Sequence, residues 1–430
     1  MDYYLPMPMY QNRLESTGVW GVKNVVPRDI YNGIEDSSCK KYSYWDGAII
    51  KAKQDGKYHM YCSRWDQSAG HGGWWSSVAV HAVSDSIMGP YIDKGLAYTY
   101  NGGKGHNVTA IELPDGRYAI LVCETVPASI FISSDPNGPF QYQGHLQINT
   151  NGHNTSGVNL ESNMSICMRE DSTFLIVTRD GFVMHSTSGI MGPYLVKTDK
   201  IWPMNLPGYN TANWEDPVIW RSGKKYYCTV NCWSSKKAIY LTSDDGITNW
   251  KYGGEAYSPM SANLLRYTNG KVNKWCKMER PGVFLVDGIV THLTFAVIDT
   301  EKEVDLGNDN HNSKVIVVPF DGAAFSGITP IQSYETQTDR KRTVSLTIKM
   351  PGKSINQILI DTYGSIEGAT RLDIEIYSVN GRLVTRFNNV PVSNNRCVLN
   401  YNSGAKLNPG MYLISVRYGK HCFQGRLTVQ

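Results

Sequence analysis

Apolar and polar residues alternate along most of this chain in short runs broken by Gly, Asp, Asn or Pro, and a period of two is the mark of β-strands. Five segments repeat one shape: a polar or acidic pair, an apolar strand, a tight turn and a second strand. They are YWDGAIIKAKQDGKYHMYCSR (44–64), GHNVTAIELPDGRYAILVCET (105–125), LESNMSICMREDSTFLIVTRD (160–180), WEDPVIWRSGKKYYCTVNC (214–232) and MERPGVFLVDGIVTHLTFAV (278–297). Their turns fall on Asp55-Gly56, Asp115-Gly116, Glu170-Asp171, Ser222-Gly223 and Asp287-Gly288, mostly pairs that tolerate the positive φ of a two-residue hairpin. Each of the first four hairpins is followed by a further strand, a GPY-like turn and an outer strand, as in SDSIMGPYIDKG (84–95) and STSGIMGPYLVKT (186–198).

Taking Asp46, Asn107, Asn163, Asp216 and Arg280 as equivalent positions, the steps between units are 61, 56, 53 and 64 residues. Four strands with their turns need about 40–50 residues, so these steps fit four-stranded blades with loop insertions. The sequence therefore predicts an all-β chain: a five-bladed β-propeller over 41–327, preceded by a wrapping segment at 1–40. The polar stretch 328–343 reads as a linker. From 344 to 430 alternating segments such as INQILIDTYG and GMYLISVRYG predict a small C-terminal β-sandwich, with Asn380-Gly381 making one hairpin.

In a propeller the first strand of each blade lines the central axis, so sequence-distant residues at one phase converge. The predicted constellation is Trp45-Asp46, His106-Asn107, Ser162-Asn163, Glu215-Asp216 and Glu279-Arg280, with Arg64, Asp66, Glu124, Arg179, Asp180, Trp233 and Asp299 returning on the second strands. Hydrolysis of a glycosidic bond needs one carboxylate to activate water and one carboxylic acid to protonate the leaving oxygen. Asp46, Asp216 and Glu279 are the catalytic candidates, and carboxylates crowded beside Arg280 would have their pKa values driven apart. The loop SAGHGGWWSS (68–77) carries His71, Trp74 and Trp75, whose indoles suit the C–H faces of a sugar. Arg64, Arg179 and Arg280 could bind an acidic sugar or form internal ion pairs. A bound metal is not required by any motif; a structural calcium held by Asn107 and Asn163 in the channel is compatible with the residue types.

Bulk properties narrow the partners. In 430 residues there are 27 Tyr, 11 Trp and 40 Gly, 19% of residues are charged and the formal net charge is +4. No Lys/Arg run tracks a phosphate backbone, so nucleic acid is excluded as the expected partner in favour of an oligo- or polysaccharide. No apolar run is long enough to span a bilayer. Nine cysteines show no zinc spacing, and a Cys228–Cys232 bridge is conceivable without being required. Oligomeric state has no signature.

DGAII after an aromatic, EDPVIW and ERPGVF resemble the Asp, Asp and Glu sites of five-bladed propeller glycosidases of glycoside hydrolase families 43 and 117, over residues 40–325. The resemblance implies Asp46 as general base, Asp216 as an orienting and pKa-setting residue, and Glu279 as general acid or a second binding carboxylate. Family 43 usually has an EGP-like acid motif one blade before the last. Here that position reads EDP, so Glu215 and Asp216 both stay open. Family 117 uses a histidine acid just before its Glu, and 267–278 holds no His; such an acid would have to be His106 or His71. The end of the chain, RLDIEIYSVNGRLV (371–384) with LNPGMYLISVRYG (407–419), resembles the sorting domain of type IX secretion substrates, which implies a secreted or cell-surface protein; a carbohydrate-binding module is the other reading. The expected activity is an exo-acting glycoside hydrolase on a plant or algal glycan, acidic glycans included. The alternatives are a lyase of uronic-acid-linked sugar using His and Arg, and a non-catalytic glycan-binding propeller.

Overall fold

The computed structural model describes residues 3–8, 29–36, 38, 41–261, 264–308 and 311–327, and the strands lying between 346 and 429. Two compact units divide the chain, Met1–Ile328 and Thr329–Gln430. Most of the expected wrapping segment, the linker 328–343 and the Asn380-Gly381 turn lie outside the described residues.

The first unit holds five antiparallel sheets in chain order. Blade one is β1 (Tyr42–Lys51), β2 (Tyr58–Asp66), β3 (Val78–Ser84) and β4 (Ile92–Leu96); blade two is β5 (His106–Glu112), β6 (Tyr118–Cys123), β7 (Ser129–Ser133) and β8 (Gln141–His145). Strand β9 (Ile148–Asn149) adds in parallel to the outer edge of blade three, which is β10 (Ser165–Met168), β11 (Phe174–Val177), β12 (Val183–Ser186) and β13 (Tyr194–Thr198). Blade four is β14 (Trp214–Ser222), β15 (Lys225–Cys232), β16 (Lys237–Ser243) and β17 (Lys251–Tyr257); blade five is β18 (Lys277–Val286), β19 (Ile289–Ile298) and β20 (Lys314–Pro319). The first strands touch in sequence around a closed circle, β1 with β5, β5 with β10, β10 with β14, β14 with β18 and β18 with β1. The unit is a five-bladed β-propeller with its first strands innermost.

Strict alternation explains how blades stack. Along β6, Ile120 and Val122 pack with Tyr61 and Tyr98 of blade one, whereas Ala119, Leu121 and Cys123 pack with Ile166 and Ile176 of blade three. Along β11, Phe174 and Ile176 face blade two and Leu175 and Val177 face Ile219 and Cys228 of blade four. Middle strands are therefore buried on both faces, which is why they read as continuous apolar runs. Fully burying one such Leu or Ile contributes about 1.5–3 kcal/mol.

Blade five has only three strands of its own, and residues near the start of the chain complete it. Ile34 and Val315 exchange both backbone hydrogen bonds (3.0 and 3.1 Å), and Leu5 N–H donates to Pro319 O (2.9 Å). The Asn32 amide clamps Val317 from both sides, donating to its carbonyl at 2.9 Å and accepting from its N–H at 2.7 Å. Between them Gly33 has φ 71°, and a Cβ there would fall 1.8 Å from Val315 O; only glycine fits this approach. The buried Lys314 ammonium donates to Asp29 O (2.6 Å) and Glu35 Oε1 (3.0 Å) beside it.

In the second unit, strands β21 (Leu346–Lys349), β22 (Gln357–Thr362), β23 (Arg371–Ser378), β24 (Leu383–Ser393), β25 (Arg396–Asn400), β26 (Gly410–Tyr418) and β27 (His421–Val429) form one antiparallel ladder in the order β21-β22-β25-β24-β23-β26-β27. β21 and β27, at its two ends, lie against each other, so the ladder curls back on itself.

Candidate active site

The five positions aligned from sequence share an unusual backbone. Asp46, Asn107, Asn163, Asp216 and Arg280 all adopt left-handed φ, at 66°, 53°, 43°, 54° and 42°. In blades one, two, four and five the register slips at that point, with Trp45 opposite Ser63 but Ala48 opposite Tyr61, and likewise at His106/Thr109, Glu215/Val218 and Glu279/Gly282. Each is a β-bulge. In a flat strand consecutive side chains point to opposite faces; a bulge re-aims one of them. That is how His106 with Asn107, and Glu215 with Asp216, line the same cavity. Left-handed non-glycine residues cost about 1–3 kcal/mol each, and they persist where surrounding structure over-determines them.

Arg280 is the hub. It is 3% exposed, and its Nη2 donates to Met164 O of the blade-three inner segment (2.8 Å) and to Asn107 O (3.4 Å) and Thr109 Oγ1 (3.4 Å) of blade two. Its Nε lies 3.9 Å from Asp46 Oδ1 of blade one and its Nη1 3.8 Å from Asp216 Oδ1 of blade four. One guanidinium from blade five thus reaches the four other blades and divides the axis into two cavities. On one side a channel of about 810 Å³ is lined by β1, β5, β10, β14 and β18, with Asp46 and Arg280 at its end. On the other is a polar cavity of about 530 Å³.

The polar cavity gathers Trp45, His71, Trp74, His106, Asn107, Asn163, Arg179, Glu215 and Asp216 from the expected set. Asn163 Nδ2 donates to Asp216 Oδ1 at 2.6 Å, and Asn163 N–H donates to Glu124 Oε1 at 2.5 Å. Glu215, 3.6 Å from Arg179 Nη2, is pushed up to about 8, first by burial and then by the neighbouring Asp216 and Glu279 charges, which outweigh Lys302 and Arg179. Burial holds His106 down at about 3 and His71 well below its ordinary value, so both imidazoles are neutral. His106 Nδ1 pairs with Ser77 Oγ (3.0 Å), and His71 sits edge-on to Trp45 with ring centroids 4.9 Å apart.

Other expected residues are placed differently. Asp46, 1% exposed, lies under the floor of the polar cavity: its Oδ2 accepts from Ser63 Oγ and from Val108 N–H (3.0 Å), while Oδ1 accepts no hydrogen bond. Burial raises its carboxyl, against the pull of Arg280 and these donors. Glu279 is equally buried and ion-paired with Lys302. Arg64 is not in the cavity. Its neighbour Ser63 faces the axis, so Arg64 takes the other face of β2, pairs with Asp93 (2.6 Å) and lies over Tyr42. Asp66 caps the following turn through Ser68, Asp180 pairs with Lys200 and Asp299 pairs with His311. Trp75 stacks on Trp74 (centroids 3.9 Å apart) and remains 65% exposed. Cys228 and Cys232 are both free, buried thiols.

The loop joining β19 to β20 contributes Lys302, Glu303, Asp305 and Leu306 to the cavity, and sequence reasoning missed all four. The run DTEKEVDLGNDNHN (299–312) offered a signal: a long, charged insertion following directly on a second strand, whose far end returns to the site. A close approach fixes this loop, since His71 N–H donates to Asp305 O (3.2 Å) and a Cβ on Gly70 would meet that oxygen at 2.1 Å.

Glu215, Asp216 and Glu279 bring carboxylate oxygens within 4.8 Å of one another, a donor set that a hard cation takes. Lys302 already stands against Glu279 and Arg280 occupies the axis beside Asp216, so the positive charge is supplied by side chains, and Asn163 is committed as a donor to Asp216. The calcium expected on Asn107 and Asn163 concerns a different donor pair, and both of those residues line the polar cavity.

No family model and no curated protein matches the chain. Solved structures with a similar course include the catalytic domain of a family 62 α-L-arabinofuranosidase of Coprinopsis cinerea (11% identity, 74% of this chain and 98% of that one, TM-score 0.48). A family 117 glycoside hydrolase of Zobellia galactanivorans aligns with 11% identity over 68% of this chain and 88% of its own, at TM-score 0.46. A thermostable family-43 glycoside hydrolase aligns with 14% identity over 65% and 89%, at TM-score 0.42.

Proposed function

We propose that this protein is a glycoside hydrolase in which Glu215 is the general acid. The observation that carries the reading is the Glu215 carboxyl: it lines the polar cavity and is raised to about 8 by burial and by Asp216 and Glu279, so it holds its proton at neutral pH. A leaving glycosidic oxygen needs such a donor. Asp216, anchored by Asn163, sets that proton affinity and orients the acid. Asp46 is the base of this reading; it lines the channel beside Arg280 and not the polar cavity, so it would act on a substrate in the cavity through water, with Oδ2 fixed by Ser63 and Val108. Glu279 is then a buried binding and charge-setting carboxylate rather than the acid. The polar cavity is separate from the channel lined by Arg280, which favours an exo mode in which a chain end enters and stops. Trp45 and Trp74 in the wall, and Trp75 beyond it, supply faces for sugar rings. The C-terminal pattern supports export to the cell surface or medium, which secretion of a tagged full-length chain would test.

Burial disfavours the protonated forms of His106 and His71, which makes both weak bases and disfavours lyase chemistry. The test is a panel of neutral and acidic oligosaccharides followed for released reducing sugar and for absorbance near the ~235 nm of unsaturated uronates. Reducing sugar without absorbance, lost by about 10²–10⁴-fold in Glu215→Gln and Asp46→Asn, supports the assignment. Turnover unchanged in Glu215→Gln overturns it.

A further inference from the structure

Lys302 has no part in the roles just assigned, yet it is the cation nearest the acid cluster. It lies on the β19–β20 loop, and its ammonium contacts Glu279 Oε2 and stands 5.0 Å from the centre of the Trp45 ring. The side chain is 23% exposed and lines the cavity together with Glu215 and Asp216. Three carboxylates meet within 4.8 Å at this point. Arg280 stands 3.8 Å from Asp216 on the axis side and Arg179, 41% exposed, stands 3.6 Å from Glu215, which leaves Lys302 as the cation against Glu279. Like charges this close raise one another's proton affinity, and an adjacent cation opposes that rise.

We propose that Lys302 is the positioning residue of the acid cluster: its ion pair with Glu279 places a positive charge beside Glu215 and so sets how strongly that carboxyl holds its proton. This rests on the glycosidase reading for its consequence in catalysis, but the protonation pattern itself does not. The groups facing Glu215 are Asp216 on β14, Glu279 on β18, Lys302 on the β19–β20 loop and Arg179 after β11, with buried Tyr257 at the end of β17 within electrostatic range; neutral His106 of β5, Glu124 after β6, and Glu303 and Asp305 of the β19–β20 loop also line the cavity. Facing Lys302 are Glu279, Glu215 and Asp216, with His71 and His106 nearby. Burial opposes the ammonium, and these carboxylates more than offset it, so Lys302 stays charged throughout the working range.

The experiment compares wild type, Lys302→Met and Lys302→Arg as full-length chains. The carboxyl carbon of Glu215 is followed by NMR in ¹³C-glutamate-labelled protein, with Glu215→Gln assigning the resonance, and the pH profile of kcat/KM is measured on any substrate cleaved. Removing an opposite charge at this range should raise the Glu215 midpoint by about 1–3 pH units in Lys302→Met, with Lys302→Arg restoring it to within about half a unit of wild type. The alkaline limb of the rate profile should move with it. A Glu215 midpoint unchanged in Lys302→Met overturns the proposal even if the enzyme hydrolyses glycans; a shifted midpoint in a protein that cleaves nothing upholds the charge arrangement and refutes the glycosidase reading instead. Should Lys302→Met fail to fold, Lys302→Gln takes its place, and adding Glu279→Gln to it must lower the Glu215 midpoint below that of Lys302→Gln alone, or the proposal fails.

Discussion

Replacing Arg280 by Met should cost far more than its hydrogen bonds. The substitution keeps much of the side chain's length while removing the guanidinium that donates to Met164 O and stands 3.9 and 3.8 Å from Asp46 and Asp216. Both carboxylates are at most 4% exposed, so they are left as buried acidic groups without their shared counter-charge. Breaking a buried pair from one side costs about 3–5 kcal/mol, and the unmet Met164 carbonyl adds about 1–3 kcal/mol. Urea unfolding followed by tryptophan fluorescence is a clean assay, because all 11 Trp lie in the first unit. At pH 7 we expect Arg280→Met to lose about 4 kcal/mol or more. Adding Asp46→Asn, which removes one orphaned charge, should recover at least about 1 kcal/mol of that loss, a non-additivity expected of groups in contact. A loss below about 1 kcal/mol, or strict additivity of the two substitutions, would refute the view of Arg280 as the electrostatic hub of the ring.

Three further outcomes follow from the packing and the buried imidazoles. Gly33→Ala, forced at once into a left-handed φ and a Cβ only 1.8 Å from Val315 O, should destabilise the propeller by at least about 2–4 kcal/mol in the same urea assay. Leu121→Ala, a fully buried truncation between blades two and three, should cost about 2–5 kcal/mol, with a protein still folded at 20 °C if blade packing is distributed as described. Burial lowers His81 and His292 to about 4 and His106 to about 3. Their folded values lie below the unfolded ones, so stability is intact above about pH 6.5 and falls as pH drops from there toward 4; scanning Tm from pH 7.5 to 4.5 should show this, and His81→Gln should flatten the slope.

The repeat was legible because two strict periods coincide in it. Alternation of apolar residues marked the strands, and the Asp-Gly type turns set their phase, so the aligned positions 46, 107, 163, 216 and 280 turned out to share one left-handed backbone state. Chemistry was less legible. The sequence pairs Glu215 with Asp216 without saying which side chain faces the cavity, because a bulge breaks the alternation on which such an inference depends. Arg64 was misplaced for the opposite reason: β2 has no bulge there, and plain alternation with Ser63 turns it outward. Lys302 escaped because its loop carries no periodicity, and contacts distant in sequence, the close approach of Gly70 to Asp305 and the Asn308 N–H on Gln67 Oε1 among them, bring it over the cavity. The three-stranded fifth blade was hidden too, since pairing between Ile34 and Val315 spans nearly the whole unit.

That pairing has a consequence for biogenesis. Residues made first must wait for residues made some 280 positions later, so four blades can stack as they emerge while the fifth keeps an unpaired edge. Late, non-local closures are slow and leave strand edges open to other chains. A nascent copy interrupted before Val315 would lack the partner strand of Ile34 and leave that edge open to pairing with another chain until the closure is made.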